Sequence, residues 1–540
     1  MADKQKAEQT YDDIVIGGGA SGCVIANRLS SNPSNRVLLL EAGGGDSHPM
    51  ITMPKGIAVV SASPRFTWRL PVSQRRLNRL DLGETWVNGR VLGGGSSVNG
   101  MIWSRGHRHD YDDWERAGGE AWGWNSMLAA YRAIEDHELG ASETRGSGGP
   151  VRVSIGPFRY PEAHSFIAAA KQAGLPDRGD DLNHPDLDGV GWYAHSVRNG
   201  RRESSVTAFL DPVHNRKNLN VITHAIVERI EFDNRRACAV VARVKGRRVR
   251  FAVRGEVIIA SGSVMSPKIL ELSGVGDAQR LAHLGIDVVH HSPQVGENLR
   301  DHLNFSMPHR LLGARGLNRR FRGIGRIPDL LGYVFTHTGP MTLGPYEVGV
   351  FTRSDPHQDR PDLQLYFSAY SKTPGRTTTE REPGFTVSVF LVQTSSRGSV
   401  HITSADPDAP VELLPNHLRD EADQRRVVAA VRTVRSMLRQ PAFAHHVGRE
   451  IAPGDDHHDN AAIFERVLPR ISGGTHAMGT CAMGRNDDAV LDERLRVRGV
   501  QGVRVVNCAS MPTLVSGNTS APAMAIAWQA ANLIEAERSA

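Results

Sequence analysis

The hydrophobic pattern of the chain is most regular near its two ends and in one central segment. Residues 11–16 end in an apolar run, and a glycine turn, an Ala/Val/Ile-bearing segment and a second apolar run at 36–40 follow. This order predicts a strand–helix–strand unit. Residues 219–262 have a strand-like pattern that ends in a buried strand at 256–260. Residues 497–539 predict a strand at 503–506 and a helix from about residue 521.

Other segments interrupt this regularity. Residues 83–106 are rich in Gly and Ser and predict an extended loop leading into a helix, and residues 144–150 predict a domain edge. Ser266 and Pro267 predict the start of a helix that stops at Ser273 and Gly274, because Pro is favoured in a first turn. We interpret 262–276 as scaffold rather than site. Residues 310–460 are rich in Pro, Arg and Asp and predict a separate lobe.

Composition and charge narrow the class of protein. The 540 residues are 40% hydrophobic and 23% charged, which is typical of a globular protein of two or three domains, or of one large α/β unit with an inserted part. The net charge of +6 is small for this length. The densest basic runs are Arg75, Arg76 and Arg79, and the stretch 245–254. The second run alternates with Val and Phe and predicts an exposed strand face, so we expect no nucleic-acid partner. The small positive net charge is still compatible with a modest attraction to anionic substrates or membrane surfaces.

The sequence shows no clear pattern for a metal site, a signal peptide or a membrane span. The four cysteines show no metal-ligand spacing and no disulfide framework, so no metal site is expected. The N-terminal residues are polar and lack the apolar region of a signal peptide. No run approaches the ~18 apolar residues of a membrane span, so we expect no integral span and a cytoplasmic location.

The glycine turn after the first strand carries a nucleotide-binding pattern. Gly17 permits a tight turn, Gly19 lets backbone N–H groups approach a pyrophosphate, and Gly22 lets the helix pack close to the strand. Glu41 ends the second strand about 20 residues further on, where a carboxylate can bind ribose hydroxyls. An ordinary glycine turn is the alternative. The pattern predicts a dinucleotide site that fits NAD and FAD equally well.

Two later segments carry candidate chemistry. Residues 89–100 form a second glycine-rich segment, and its apolar flanks favour a fixed ligand-binding loop over a flexible linker. His476 lies among small residues that leave room for a substrate, although a single His is usually structural or on the surface. Asn518 precedes the C-terminal helix, where a helix-capping role is the alternative.

These blocks, in this order, resemble the glucose-methanol-choline (GMC) flavin oxidoreductases over essentially the whole chain. Residues 89–112 and 262–276 fit the two signatures of the family, and residues 202–210 and 295–302 are also typical of it. The resemblance is strongest to the choline- and sorbose-dehydrogenase-like branch. It implies an α/β fold in which a Rossmann-type FAD-binding domain (1–155, 205–308 and 465–540) is joined to a discontinuous substrate-binding domain on an antiparallel sheet (156–204 and 309–464).

The resemblance also implies a set of site residues. His476 falls on the catalytic base of the family, and Asn518 falls on its second active-site position. Asn99 lies close to the isoalloxazine, and the backbone of Val227 meets the adenine. The full set of FAD-binding residues implied is Gly17, Gly19, Ala20, Ser21, Gly22, Glu41, Ala42, Arg90, Gly94, Gly95, Asn99, Gly100, Met101, Val227 and Ala509.

Three departures from the family pattern qualify these assignments. Val98 stands where relatives with covalent FAD have His, so we expect non-covalent FAD. Asn507, Cys508 and Ala509 replace a usual Asp-Ala-Ser, which weakens the assignment of flavin contacts there. Trp528 and Gln529 replace a frequent Glu-Lys and alter surface or interface contacts only.

The expected function is the FAD-dependent oxidation of a small primary alcohol or polyol. Hydride passes to flavin N5, His476 accepts the proton, and Asn518 donates a hydrogen bond to the substrate oxygen. The acceptor of the electrons, O₂ or a quinone or another acceptor, and the oligomeric state stay open. The alternatives are a GMC-fold hydroxynitrile lyase, a photodecarboxylase, an NAD-dependent dehydrogenase and a non-catalytic flavoprotein. Glu347 either faces the substrate pocket or, with greater weight, is a structural or surface carboxylate.

Overall fold

The strand–helix–strand unit expected at the N-terminus is present in the computed structural model, which describes residues 10–73, 83–372 and 378–539. Strand Thr10–Ile16 leads into helix Ala20–Leu29 and returns as strand Val37–Leu40. All four residues of the second strand are buried, as expected for a parallel strand with both faces covered. The N-terminal segment 1–9 and the basic run at Arg75, Arg76 and Arg79 lie outside the described residues.

A seven-stranded sheet surrounds this unit. Its parallel part contains, in spatial order, the strands Leu219–Ile222, Val37–Leu40 and Thr10–Ile16 and the C-terminal end of strand Arg247–Ile259. The strand Val503–Val505 near the C-terminus also pairs in parallel with the end of Arg247–Ile259. The strands Ala225–Asp233 and Arg236–Val244 extend it as an antiparallel meander. Helix Ser520–Ser539 packs on Ala20–Leu29. Residues from both ends of the chain therefore build one sheet around the first glycine turn.

A second sheet of eight strands is mainly antiparallel. Its order is Val447–Glu450, Leu303–Leu311, Gly384–Leu391, Leu363–Ser368, Val348–Thr352, Gly189–Trp192 and Asp177–Gly179, and Ser472–Gly473 pairs with the strand Leu303–Leu311. Helix Glu421–Leu438 packs against this sheet. The expected fold class is thereby confirmed, whereas the division into the two sets of domain ranges stays a prediction.

The remaining elements are short or peripheral. Small sheets pair Thr67–Pro71 with Thr85–Gly89, Glu135–His137 and Ala194–His195 with Val151–Ile155, Val197–Arg198 with Arg201–Arg202, Val275–Gly276 with His290–His291, and Ser399–Ile402 with Val411–Leu414. The other α-helices are Pro49–Thr52, Ile57–Ala62, Gly95–Val98, Arg108–Gly118, Trp124–Ile134, Pro161–Gln172, Gly262–Leu272, Ala278–His283, Ile327–Thr336, Pro441–Ala444 and Asn460–Val467, and Val206–Leu210 is a π-helix.

Two local predictions from the sequence were wrong. Residues 83–106 contain a strand, Thr85–Gly89, which pairs with Thr67–Pro71 over five residues. Helix Gly262–Leu272 begins four residues before Ser266, so Pro267 lies inside it. Pro267 has no N–H for the Ser263 carbonyl, and the hydroxyl of Thr480 donates to that carbonyl instead, at 2.6 Å. A tertiary hydrogen bond thus replaces the missing helical one.

The basic stretch 245–254 forms an exposed strand face, as expected. Arg248 and Arg254 are about two-thirds exposed and pair with Glu228 and Asp12. Pairs that involve such exposed arginines contribute little to stability, about 0–1 kcal/mol each.

Candidate active site

The first glycine loop has the backbone geometry that its sequence predicts. Gly17 has a φ of +100°, and a Cβ on it would lie 2.8 Å from the Ala260 carbonyl oxygen. A Cβ on Gly22 would lie 1.9 Å from the carbonyl oxygen of Gly17, so only glycine allows helix Ala20–Leu29 to approach the strand. The helix is capped by Gly19, which offers no side-chain acceptor to the N–H groups of the first turn, including those of Ala20 and Ser21.

Glu41 is fixed beside this loop. Its Oε2 accepts a hydrogen bond from the Gly18 amide at 2.9 Å, and its Oε1 accepts one from the Gly43 amide at 2.7 Å. Burial raises the pKa of Glu41 to about 7, against these hydrogen bonds and the positive charge of Arg90, which lower it. Ala42 connects Glu41 to Gly43, so it shares this position.

The second glycine loop touches the first. The Gly93 amide donates to the Gly18 carbonyl at 2.6 Å, and a Cβ on Gly94 would lie 2.7 Å from the Gly19 Cα. A Cβ on Gly95 would meet no atom within 4 Å. The two loops therefore form one glycine-lined cradle at the start of helix Ala20–Leu29, and a helix N-terminus suits a pyrophosphate.

Two further predicted residues lie at the edges of this cradle. The guanidinium of Arg90 stacks on the ring of Trp68 at 4.3 Å. Val227 lies two residues after Ala225, whose amide donates to the Glu41 carbonyl at 2.8 Å. The structure thus places Val227 two residues from the backbone contact with Glu41, which follows strand Val37–Leu40.

A buried cation lies beside the second loop. Nη1 of Arg202 donates to the backbone and side-chain oxygens of Asn99 and to the Ser96 carbonyl. Its Nη2 is buried without an acceptor among the described residues. Burial without an acidic partner lowers the pKa of Arg202 to about 9. The cradle and this cation fit an anionic dinucleotide such as FAD, because burying an unpaired charge is costly.

Asn99, Gly100 and Met101 continue from the cradle toward the second sheet. Oδ1 of Asn99 accepts from the Met101 amide at 2.9 Å, and Met101 has a φ of 62°. A Cβ on Gly100 would lie 2.8 Å from Pro345. The ring of Tyr346, next in the chain, packs on Tyr366 with centroids 4.7 Å apart. Tyr366 in turn contacts Asn518, one of the two predicted catalytic residues.

His476 and Asn518 meet at this far end of the site. Nδ2 of Asn518 lies 3.4 Å from Nε2 of His476. Oδ1 of Asn518 accepts hydrogen bonds from Gln364 Nε2 and from the Tyr366 hydroxyl, both at 3.2 Å. Because an amide oxygen only accepts, this orientation leaves the NH₂ group free to donate toward His476 and the space beside it. The recorded hydrogen bonds of the Asn518 side chain point to His476 and the second sheet rather than to its own helix.

His302 fixes the tautomer of His476. Nε2 of His302 lies 3.0 Å from the Val515 carbonyl oxygen, which can only accept, so this nitrogen carries the proton. In neutral His302 the other nitrogen, Nδ1, is then an acceptor, and it lies 3.0 Å from Nδ1 of His476. His476 therefore donates through Nδ1 and keeps the lone pair of Nε2 on the side of Asn518.

Burial keeps both imidazoles neutral. It lowers the pKa of His476 to about 4. It also lowers the pKa of His302 well below its usual value, and the neighbouring His476 adds to this effect. Asp301 accepts from the backbone amides of His476 and Thr475, and burial raises the pKa of its carboxyl to about 8. Near neutral pH the free nitrogen lone pairs of both imidazoles therefore stay available as hydrogen-bond or proton acceptors.

Sequence reasoning missed the partners of this pair. Gln364, Tyr366 and Phe390 lie on strands of the second sheet, and the Phe390 ring centroid is 5.9 Å from that of His476. No motif marks these three residues. His302 lies in the segment 295–302 that is typical of the family, so only its role was missed.

Ala509 and Glu347 have different surroundings. The carbonyl of Ala509 accepts from the Cys481 amide at 2.9 Å, which places it beside the chain that follows His476. Glu347 is buried, accepts from the Tyr160 hydroxyl at 2.8 Å and lies 3.4 Å from Lys55 Nζ. It lines a cavity of about 240 Å³ whose lining residues include neither His476 nor Asn518. The structural interpretation of Glu347 fits this geometry.

Comparison with known proteins defines the class of protein. Residues 11–304 match the N-terminal profile of the GMC oxidoreductases, and residues 394–527 match the C-terminal profile. The chain belongs to the GMC oxidoreductase family. It is an enzyme of the FAD-dependent class that oxidises CH–OH groups, so the NAD-dependent alternative no longer applies.

Individual relatives cover nearly the whole chain. An alcohol dehydrogenase [acceptor] from Pseudomonas putida is 38% identical over 530 residues, which are 97% of this chain and 95% of the relative. The mitochondrial choline dehydrogenase of Homo sapiens is 35% identical over 543 residues, which are 98% of this chain and 91% of the relative.

Solved structures agree in fold. An Aspergillus oryzae formate oxidase aligns with a TM-score of 0.91 at 25% identity, over 98% of this chain and 99% of that one. The pyridoxine 4-oxidase of Mesorbium loti aligns with a TM-score of 0.87 at 26% identity, over 97% and 99%. None of the helices in the described ranges combines the length and apolar character needed to cross a membrane.

Proposed function

We propose that this chain oxidises a small primary alcohol or polyol, with Nε2 of His476 as the base and Asn518 as the donor to the substrate oxygen. The observation that carries the proposal is the fixed pair itself. The proton of His302 determines which nitrogen of His476 is free, and Gln364 and Tyr366 determine which end of the Asn518 amide faces it.

The residues around this pair suit the hydroxyl group of a small alcohol or polyol. The groups in contact with it are the Phe390 ring, the Tyr366 phenol, the Gln364 amide and the neutral His302. An alcohol or polyol needs only the hydrogen-bonding groups present here.

Each residue of the pair has a defined task. Nε2 of His476 accepts the hydroxyl proton as the carbinol C–H bond breaks, and positioned base catalysis of this kind typically accelerates a reaction by ~10²–10⁴-fold. The amide of Asn518 donates to the oxygen while its negative charge grows, and a hydrogen bond to a charged group contributes about 1.5–3 kcal/mol. FAD, when bound, supplies the acceptor for the hydride.

We also propose that FAD is held without a covalent bond, with its ADP half on the 17–22 loop and Glu41, and its ring system beside residues 94–101. Val98, at the position where covalent relatives have His, packs in an apolar cluster with Ile51, Val60 and Phe66 and offers no nucleophile. Acid precipitation of the yellow protein should release all of the colour into the supernatant. Colour that stays in the pellet contradicts this part of the proposal.

The role of His476 is tested by His476→Ala. The variant should remain yellow, and anaerobic flavin reduction by an alcohol should slow at least about a hundredfold. His283→Ala, which changes an exposed histidine, is the matched control and should reduce at the normal rate. Near-normal reduction in the His476 variant would falsify the assignment.

The same anaerobic experiment separates oxidation from the alternatives. Bleaching of the flavin by an alcohol in the dark is expected for an oxidoreductase, whereas a lyase or a photodecarboxylase leaves the flavin oxidised. A panel of alcohols read by both oxygen uptake and dye reduction identifies the substrate and shows whether O₂ or another compound accepts the electrons.

A further inference from the structure

One helix exposes an unusual amount of apolar surface. Six of the eleven large apolar side chains that are exposed in the described residues lie between 324 and 335. Ile324 is 85% exposed and Phe335 is 80% exposed, so both project from the surface. We call the set the 324–335 ridge; it comprises Ile324, Ile327, Leu330, Leu331, Val334 and Phe335.

The ridge follows the geometry of helix Ile327–Thr336. Its residues recur at intervals of three and four, which places them on one face. Tyr333 lies on the opposite side, is buried, and packs with Met53 and Met341. Tyr333 therefore anchors the helix from one side while its broad apolar face is left to solvent, and contiguous exposed apolar patches mark interaction sites.

The surroundings of the ridge are basic. Residues 312–339 contain five arginines and a single acid, Asp329. Asp329 is paired with Arg320. Arg315, Arg319 and Arg326 are exposed, and no ion pair joins them to an acid within the described residues. The nearby Glu380 and Glu382 are both paired with Arg310, so they do not offset this charge.

We propose that the 324–335 ridge docks on the surface of a lipid bilayer that contains anionic headgroups. Apolar side chains along one helical face beside exposed arginines form the pattern of an interfacial helix, which inserts its apolar face between headgroups and lies in the membrane plane. The unpaired arginines then meet lipid phosphates. This docking requires no spanning helix.

Charge also decides against a second copy of the chain as the occupant. A symmetric dimer through this face would place the ridge against itself. The unpaired arginines of one copy would then lie close to those of the other, and like charges opposed across an interface weaken it. An anionic lipid surface satisfies the apolar side chains and the arginines together.

Vesicle flotation with the full FAD-loaded protein tests the proposal. The protein should float with vesicles of phosphatidylcholine mixed with phosphatidylglycerol, float less with phosphatidylcholine alone, and be released in part by salt. A triple variant, Ile324→Ser with Leu331→Ser and Phe335→Ser, should lower the partition coefficient at least about tenfold. All three side chains are exposed, so the melting temperature should not fall.

Two further variants sharpen the test. Val221→Ser with Val288→Ser changes exposed apolar residues outside the ridge and should bind vesicles normally. Arg319→Gln with Arg326→Gln should remove the preference for anionic vesicles. Absence of wild-type flotation, or flotation unchanged in the triple variant, overturns the proposal. A dimer that the triple variant abolishes, without any vesicle binding, assigns the face to self-association and also overturns it.

Discussion

Replacing Asn518 by Asp changes one atom of the side chain and isolates its role as a donor. One oxygen of the new carboxylate still accepts from Gln364 and Tyr366, as Oδ1 does now. The other oxygen replaces the NH₂ group that lies 3.4 Å from Nε2 of His476. An ionised carboxylate cannot donate, so the developing charge on the substrate oxygen loses its hydrogen bond.

The size of the effect follows from two terms. Loss of a hydrogen bond to a charged oxygen costs about 1.5–3 kcal/mol, which is about a 10- to 150-fold slower flavin reduction. The new negative charge also stabilises the imidazolium of His476. At about 4 Å and an effective dielectric constant of about 20 this is worth up to ~4 kcal/mol, or about three pH units.

The second term has a definite sign. The base works only when neutral, so activity is lost as the pH falls through its pKa. In the wild type this pKa is about 4, and the rate should stay level from neutral pH down to about pH 5. In the Asp variant the pKa rises toward 7, so the rate should already fall as the pH drops below neutral.

Anaerobic stopped-flow reduction of the flavin, measured against alcohol concentration and pH, separates these terms. Asn532→Asp, an exposed change on helix Ser520–Ser539, is the matched control and should alter neither rate nor pH profile. Tyr366→Phe removes one donor to Asn518 but keeps its NH₂ group, so it should slow reduction less. Reduction within about threefold of the wild type, with an unshifted acid limb, would refute the assigned role of Asn518.

Three further outcomes are expected. His302→Leu removes the acceptor that fixes the tautomer of the base, so flavin reduction should slow about 10- to 100-fold with little change in KM; a change in KM alone contradicts this role. Glu135→Gln leaves the buried Arg105 with an uncompensated charge, so the free energy of unfolding measured in urea should fall by about 3–5 kcal/mol. The control is Glu421→Gln, which removes one partner of an exposed ion pair and should lower this free energy by less than about 0.5 kcal/mol. His401 lies between two glutamates that raise its pKa to about 9. The protonated His401 therefore stabilises the fold fully below about pH 6.5, and this contribution is lost as the pH rises to about 9. His401→Gln should flatten the dependence of the free energy of unfolding on pH over this range.

The geometry of the first glycine loop was predictable because it restricts the residue type. Gly17 needs a positive φ and Gly22 has no room for a Cβ, so the sequence must carry glycine there. Glu41 was predictable because it must end the second strand of the same unit. His476 and Asn518 were found through their motifs, although neither spacing nor composition indicates that they face each other.

The residues that orient the pair could not be predicted in the same way. Gln364 and Tyr366 lie on a strand that is buried throughout, and they orient the pair through hydrogen bonds to Asn518, about 150 residues further along the chain. A contact at such a distance leaves no local pattern. The helix around Pro267 was misplaced for a related reason, since the hydroxyl that compensates the proline comes from Thr480.

The seven-stranded sheet joins residues from both ends of the chain, and this has a consequence for biosynthesis. The hydroxyl of Ser21, at the start of the first helix, donates to the carbonyl of Ala523 at 2.9 Å, a contact that spans 502 positions. Strand Val503–Val505 likewise completes the sheet begun by Thr10–Ile16. While the ribosome is still extending the chain, the glycine cradle lacks both of these supports. Flavin loading should therefore be a late event that follows release of the chain, and nascent protein must keep a large apolar surface shielded until then.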